Sequence, residues 1–439
     1  MHGSARVSKK VTCTALLLFI VVIIYCLINL SSRIQTNPFT GDIDDDEKIK
    51  NYAEISLPFN SLRNLTTYVR IYRDIRKKLK SNKNQFTTKF EQDTFPWLND
   101  KPMLDFVGKN MSRGIVVCMS DKYMNVGLPA LLSLNDLGSQ LPIEIMYYGE
   151  NDLSIKNRRK LSKVPNVVEI TDLSTKFINV SLRSWAAKPF AILASIFQHV
   201  ILIDSDVYFF QLPEKLFDDH DYVKENIMLF TDRSLEKDTA RTKWVNSILP
   251  PPFSKSFNES RMVRGLARDE IEAGVVVMNK GNDDIFLGLL VICVLNVPPY
   301  CIYPYVHGDK ETFWLGMEMI QKTFYVNPIT GVIGDVVNDI VCGQIAHGNR
   351  NKRLLWWNGG LLQDKFSRPF LLNFTYYSWE PTDQYFSWKA SCLYVNKTEY
   401  RKLDEHERNL IRKYKETMQN VCRKMAAEGE SCLPSLKTK

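Results

Sequence analysis

Val200-Ile201-Leu202-Ile203-Asp204-Ser205-Asp206 is an apolar run that ends in two aspartates one residue apart. Four consecutive aliphatic side chains suit a strand buried on both faces. In extended chain, residues i and i+2 project to the same side, so both carboxylates reach one point just past the strand's C-terminal end. A hard divalent cation such as Mg²⁺ or Mn²⁺ suits that point, because it takes carboxylate oxygen together with phosphate oxygen. A nucleoside diphosphate held there would be activated as a leaving group. Alone the triplet is a weak signal, since such spacing recurs by chance, and its surroundings have to decide.

Those surroundings alternate strand and helix. Residues 114–119 form an apolar strand candidate, 129–137 a helix stopped by Gly138, 143–148 and 167–170 two more strands, and 189–199 a helix leading into the strand at 200–203. This is the α/β pattern, and its continuous apolar strands predict a Rossmann-like, mostly parallel sheet with helices on both faces. Ligands in such sheets bind beyond the strands' C-terminal ends, which is where Asp204 and Asp206 fall. Further strands are predicted at 227–230 and 275–278, a long buried helix at 285–295, and a charged terminal helix at 401–425.

The chain has 439 residues, 45% hydrophobic and 24% charged, a globular composition rather than a disordered one. Residues 11–30 carry no charge, and at about 1.5 Å per helical residue they match a bilayer core of about 30 Å. No small-residue cleavage site ends the run, so it reads as a membrane anchor and not a removed signal peptide. Arg6, Lys9 and Lys10 precede it and an acidic cluster, Asp42 to Glu47, follows, which leaves residues 1–10 cytosolic and everything after residue 30 lumenal. Six sequons agree with a lumenal ectodomain: Asn64, Asn110, Asn179, Asn258, Asn373 and Asn396. Residues 31–112 read as a polar stem in which 70–79 is an amphipathic helix, and 113–439 as the catalytic domain with a C-terminal helical extension. Cys118 reads as a free thiol in a core strand, leaving Cys293, Cys301, Cys342, Cys392, Cys422 and Cys432 for disulfides of unresolved pairing. The net charge of +8 fits a solvated surface or an anionic donor, and the compartment argues against nucleic acid.

Four constellations join the aspartate pair. Lys188, in Ser184-Trp185-Ala186-Ala187-Lys188, stands at a helix start where a phosphate would be met. Glu272 precedes Ala273-Gly274 at a strand entrance, where a glycine allows close approach of a sugar hydroxyl. His307-Gly308-Asp309-Lys310-Glu311 is dense in ionisable groups, although Asp309 also suits a helix N-cap. His347 is a lone histidine that gains meaning only beside a real metal site.

Taken together, Trp185 to Ser195, Val200 to Phe210, Glu272 to Lys280, His307 to Leu315 and Leu354 to Gly359 resemble the fungal α-1,3-mannosyltransferases, glycosyltransferase family 71. The resemblance covers residues 114–360. It implies a GT-A fold, a single-pass type II protein of the Golgi membrane, GDP-mannose as donor, a mannosylated glycoprotein as acceptor, and Mn²⁺, or Mg²⁺ in its place, as metal. Carried onto these residues, it makes Asp204 and Asp206 the metal and nucleotide motif, His347 a late metal ligand and Lys188 a diphosphate contact. Asp309, Glu311 and Glu272 would face donor sugar or acceptor. Trp356 and Trp357 would stack on an acceptor sugar or pack the core. A GT-A enzyme using a UDP-sugar and a non-catalytic anchored lectin or scaffold are the competing readings.

Overall fold

The computed structural model describes residues 61–79, 85–98, 106–182, 184–234, 238–363, 365, 370–381, 386–389, 391–395 and 400–430. The expected anchor at 11–30, Asn396 and Cys432 lie outside them. No described helix is long and apolar enough to cross a membrane.

Two helices come first, α1 (Leu62–Leu79) and α2 (Gln85–Thr94). Apart from further, unnumbered helices such as Ile155–Leu161 and Thr239–Ile248, the chain continues through β1 (Lys109–Cys118), α3 (Met124–Leu137), β2 (Ile143–Tyr147), β3 (Val167–Asp172), α4 (Ala187–Ala194) and β4 (Phe197–Ile203). Then come β5 (Tyr208–Phe209), β6 (Ile227–Thr231), β7 (Ile271–Asn279), α5 (Asp283–Leu295), α6 (Lys310–Met319) and β8 (Tyr325–Asn327). Among the described residues, seven of these strands form one sheet in the order β3-β2-β1-β4-β7-β6-β8. Strands β1 to β4 pair in parallel, as does β8 with β6, while β7 runs against both its neighbours. The expected α/β sheet is therefore present, as a mixed sheet with one reversed strand. Its strands read as near-continuous aliphatic runs because both faces are covered: Ile115, Val116 and Val117 are each fully buried.

Helix α5 is apolar all round and buried from Ile285 to Leu295, packed between the sheet and α6. Helix α4 is shorter than its sequence pattern suggests, because residues 197–199 already pair with β1 as β4. The reason is tertiary. The Glu144 carboxylate takes the Ile196 N–H at 3.1 Å and the Ser195 hydroxyl, and Lys280 Nζ takes the Ser195 carbonyl at 2.7 Å. Together they end the helix without a local stop signal.

A second, largely antiparallel sheet is built from β9 (Thr330–Val337), β10 (Ile340–Gly348), β11 (Leu354–Asn358), β12 (Tyr376–Trp379), β13 (Phe386–Lys389), β14 (Cys392–Val395) and β15 (Arg401–Lys402), joined by β5. Strand β5 pairs with β11, Phe209 opposite Trp356 and Tyr208 opposite Trp357. The residues that immediately follow the aspartate pair thus leave the first sheet for the second. A disulfide joins Cys342 on β10 to Cys392 on β14, and Cys422 is disulfide-bonded as well. Cys118 and Cys293 are free thiols, so Cys293, set in the apolar body of α5, drops out of the expected disulfide set. Helix α7 (Glu405–Ala427) opens with a capping box between Asp404 and Glu407 and packs on α3. Its Tyr414 hydroxyl donates to the Phe209 carbonyl at 2.8 Å.

The expected stem at 31–112 is not one uniform segment. Leu65, Val69, Tyr72 and Phe90 of α1 and α2 are fully buried in the main core. Arg70, 8% exposed, ties α1 down by donating to the carbonyls of Pro250 at 2.5 Å, Met319 at 3.2 Å and Glu318 at 3.3 Å. The amphipathic pattern at 70–79 is thus the docking face of a helix that belongs to the same core as the first sheet.

Lys280 is fully buried, and its Nζ donates to the carbonyls of Phe106 at 2.8 Å, Leu193 at 3.2 Å and Ser195 at 2.7 Å. Lys280→Met leaves three buried carbonyls without their donor, and is expected to lower stability by on the order of 3 kcal/mol. Chemical denaturation checks this; a change below about 1 kcal/mol would mean that water replaces the ammonium.

Candidate active site

A cleft of about 640 Å³ opens beyond the C-terminal ends of β1, β2 and β4, lined by Cys118 to Ser120, residues 146–152, Trp185, Lys188, Asp204 to Asp206 and Lys365. Residues 118–120 and 146–152 leave the ends of β1 and β2, and the aspartates leave the end of β4. Strand β4 stops at Ile203 because the backbone turns there: Asp204 N–H still bonds Gly274 O on β7 at 2.8 Å, and Val207 N–H closes on Asp204 O at 3.2 Å.

Lys188, in the first turn of α4, bridges the site. Its Nζ lies 2.6 Å from Asp204 Oδ1 and 3.4 Å from Asp309 Oδ2, and within 3.4 Å of the Ala273 carbonyl. Burial opposes the ammonium charge, but the Asp204 and Asp309 carboxylates outweigh it and hold the lysine above its usual range. Burial pushes the Asp309 carboxyl up to about 6 despite Lys188. Asp206 is 3% exposed and also raised by burial, and Lys365 forms an ion pair with its Oδ2. Each aspartate of the pair is therefore matched to its own lysine.

Glu272, at the start of β7, accepts from Gly274 N–H at 2.9 Å and from Asn358 Nδ2 at 2.7 Å, and the same Asn358 amide reaches Asp204 Oδ2 at 3.5 Å. A side chain at Gly274 would place its Cβ 2.7 Å from that amide nitrogen, so a larger residue there would displace the Asn358 amide. Burial, and then the neighbouring Asp232, push Glu272 up to about 7. Asp232 belongs to a second ion cluster, where Lys310 Nζ lies 2.5 Å from Asp232 and 3.3 Å from Asp269.

The structure brings Lys188, Asp204 and Asp309 together, with Asp206 and Glu272 adjoining. It does not bring in Glu311 or His347. Glu311 follows Asp309 by two residues on a helical turn, and such residues do not share a face. Its fully buried carboxylate instead accepts from Glu270 N–H at 3.0 Å and from the Trp314 indole, and burial pushes it up to about 8. His347 is fully buried on β10, with its ring stacked 4.0 Å from that of Trp356 and edge-on to Phe230, and neither ring nitrogen has a hydrogen-bond partner. Among the described residues, no three His, Cys, Asp or Glu side chains gather as a metal-binding group. Trp356 and Trp357 are fully buried, so of their two readings core packing stands and acceptor stacking falls. Of the sequons, Asn110, Asn179, Asn258 and Asn373 are exposed, while Asn64 is half-buried on α1 beside a fully buried Thr66.

Sequence reasoning passed over three residues of this site. Asn358 stood inside a quoted motif, but its use depends on β11 reaching β4 and β7 from the other sheet. Lys365 has no local pattern that marks it. Trp185 was quoted only as a neighbour of Lys188.

Burial pulls the His347 imidazole from 6.5 down to about 3. Between those values the unfolded chain binds a proton that the folded one refuses, so this group's contribution to stability is complete above pH 6.5 and is lost as the pH falls toward 3. His347→Phe keeps the stack and removes the two unpaired nitrogens. It is expected to flatten that part of the Tm–pH curve. An unaltered slope contradicts this placement.

Comparison with known proteins follows the same lines. Residues 112–340 match the family described as "Mannosyltransferase putative". Alpha-1,3-mannosyltransferase MNT3 of Saccharomyces cerevisiae is 29% identical over 305 residues, 58% of this chain and 47% of that protein. MNT2 of the same yeast, also an alpha-1,3-mannosyltransferase, is 25% identical over 301 residues, 59% of this chain and 53% of that protein. The chain thus spans about half the length of these curated relatives. Among solved structures, the mannosyltransferase Ktr4p from S. cerevisiae is similar at 9% identity and a TM-score of 0.34, covering 74% of this chain and 86% of that one. With the family match running through the aspartate pair, Glu272, Asp309 and the elements that position them, this chain belongs to the fungal α-1,3-mannosyltransferase family.

Proposed function

We propose that the protein is a retaining α-1,3-mannosyltransferase that moves mannose from GDP-mannose to a mannoside on a glycoprotein glycan, working as a type II Golgi membrane protein. The observation that carries this reading is the placement of Asp204 and Asp206 beyond the end of β4, in a cleft that Lys188 also lines. Membership of the mannosyltransferase family supports the sugar, and the apolar run at 11–30 with the sequons supports the compartment.

The residues fit a divalent cation of the Mn²⁺ or Mg²⁺ kind. Two carboxylates, Asp204 and Asp206, would hold it and leave the other positions to diphosphate oxygens and water. When bound, such an ion supplies charge stabilisation to the departing diphosphate. Lys188 and Lys365 already balance the two aspartates, and without leaving them their ammonium groups would add positive charge beside arriving phosphate oxygens. GDP-mannose is α-linked, so an α-linked product means net retention. In a front-face displacement the acceptor oxygen forms its bond to the anomeric carbon on the side from which phosphate leaves, and the leaving phosphate oxygen takes the proton. Asp309, 3.4 Å from Lys188, and Glu272, fixed by Asn358 and Gly274, are positioned to orient hydroxyls of donor sugar and acceptor.

The test is Mn²⁺-dependent release of GDP from GDP-mannose by the full chain in detergent, with methyl α-mannoside as acceptor and GDP and UDP as competing inhibitors. GDP should inhibit well and UDP poorly. Asp206→Asn should lose about a hundredfold or more in kcat with its Tm little changed. Preference for UDP would assign a different donor class, and near-normal turnover by Asp206→Asn would remove the metal role.

A further inference from the structure

The mouth of the cleft carries an aromatic surface to which no role has yet been given. Trp185 lines the cleft and is 39% exposed, whereas every other tryptophan is buried or half-buried. On the wall of a cleft, such an indole offers apolar surface that a bound ligand would cover. This one is held in place on two sides. Its ring centroid lies 5.3 Å from that of His307 and 6.2 Å from that of Tyr303. Behind it stands Gly308, whose φ is +65° and where an added Cβ would come within 2.9 Å of two indole carbons. A side chain at 308 would therefore push the ring out of position as well as strain the turn. The next residue is Asp309, whose carboxylate meets Lys188 at 3.4 Å. One tight turn sets both the exposed indole and a buried carboxylate of the site.

The position of the ring separates the two sugars of a transfer reaction. A donor sugar is tethered by its diphosphate to the buried end of the cleft, beside Asp204 and Asp206. An acceptor comes from solution with the rest of its glycan still outside, so its ring must be met on a partly exposed wall. A pyranose presents a face of C–H bonds that matches an indole face, and hydroxyls at its rim that need polar partners. His307, exposed beside the ring, offers a nitrogen donor and a nitrogen acceptor there. Building on the mannosyl-transfer reading above, we infer that Trp185, backed by Gly308 and flanked by His307, is the acceptor subsite on which the mannoside ring stacks.

Binding of methyl α-mannoside to the full chain in detergent, followed by saturation-transfer NMR, reads this subsite without turnover. The wild type is expected to transfer saturation to the mannoside ring protons, Trp185→Phe to retain that signal, and Trp185→Ala to lose it. In steady-state assays Trp185→Ala should raise the acceptor KM about tenfold or more, as loss of an aromatic stack does, and leave the GDP-mannose KM unchanged. Its Tm should stay near the wild-type value, because the side chain is already partly in water. The inference is overturned if the wild type shows no mannoside contact, if Trp185→Ala keeps that contact, or if the donor KM rises in place of the acceptor KM. A wild type that binds mannoside through Trp185 but releases no GDP from GDP-mannose fails the donor reading and leaves the subsite standing.

Discussion

The structure turns on one enclosed ammonium group. Lys188 joins α4 to the end of β4 through Asp204, to the residue that caps α6 through Asp309, and to β7 through the Ala273 carbonyl. Removing a charge from water costs several kcal/mol, and two carboxylates on different elements are what offset it. Three segments far apart in sequence are thereby held to one geometry. The aspartate that leaves β4 cannot shift without uncovering the lysine, nor can α6. A polar cluster of this kind adds little net stability compared with an apolar core, but it fixes where its members stand.

Around that cluster the molecule divides its labour between two sheets. The first, mixed sheet supplies strand ends and so the cleft. The second sheet supplies closure, because β5 carries the chain directly from the aspartate pair into pairing with β11. Asn358 then returns at the end of β11 to bind both Asp204 and Glu272. Helix α7 supports the arrangement from outside through Tyr414 and the Phe209 carbonyl.

What the sequence disclosed follows from the range of the interactions involved. Runs such as Ile115 to Val117 and Val275 to Val277 announce buried strands because burial on both faces acts on every residue. The aspartate pair could be placed because strand period and strand end are local properties. Asp309 and Glu311 looked equivalent in a row of charges, and only the helix, whose turn sends them to different faces, separates them. His347 became a candidate ligand only through the family resemblance, yet β10 buries it against Trp356. The end of α4, the docking of α1 through Arg70 and the roles of Asn358 and Lys365 depend on partners from about 50 to about 250 residues away, and no window of local pattern contains them.

The pairing of β5 with β11 also bears on when the site can exist. Asp204 and the asparagine that fixes it are 154 residues apart in the chain. At a synthesis rate of roughly 5–20 residues per second, the aspartate emerges roughly 8 to 30 s before its partner has been made. Through that interval the end of β4 has its lysine and its neighbouring strand but not its closing sheet. The cleft is therefore among the later features of the nascent chain to form, and it is complete only after β11 has arrived.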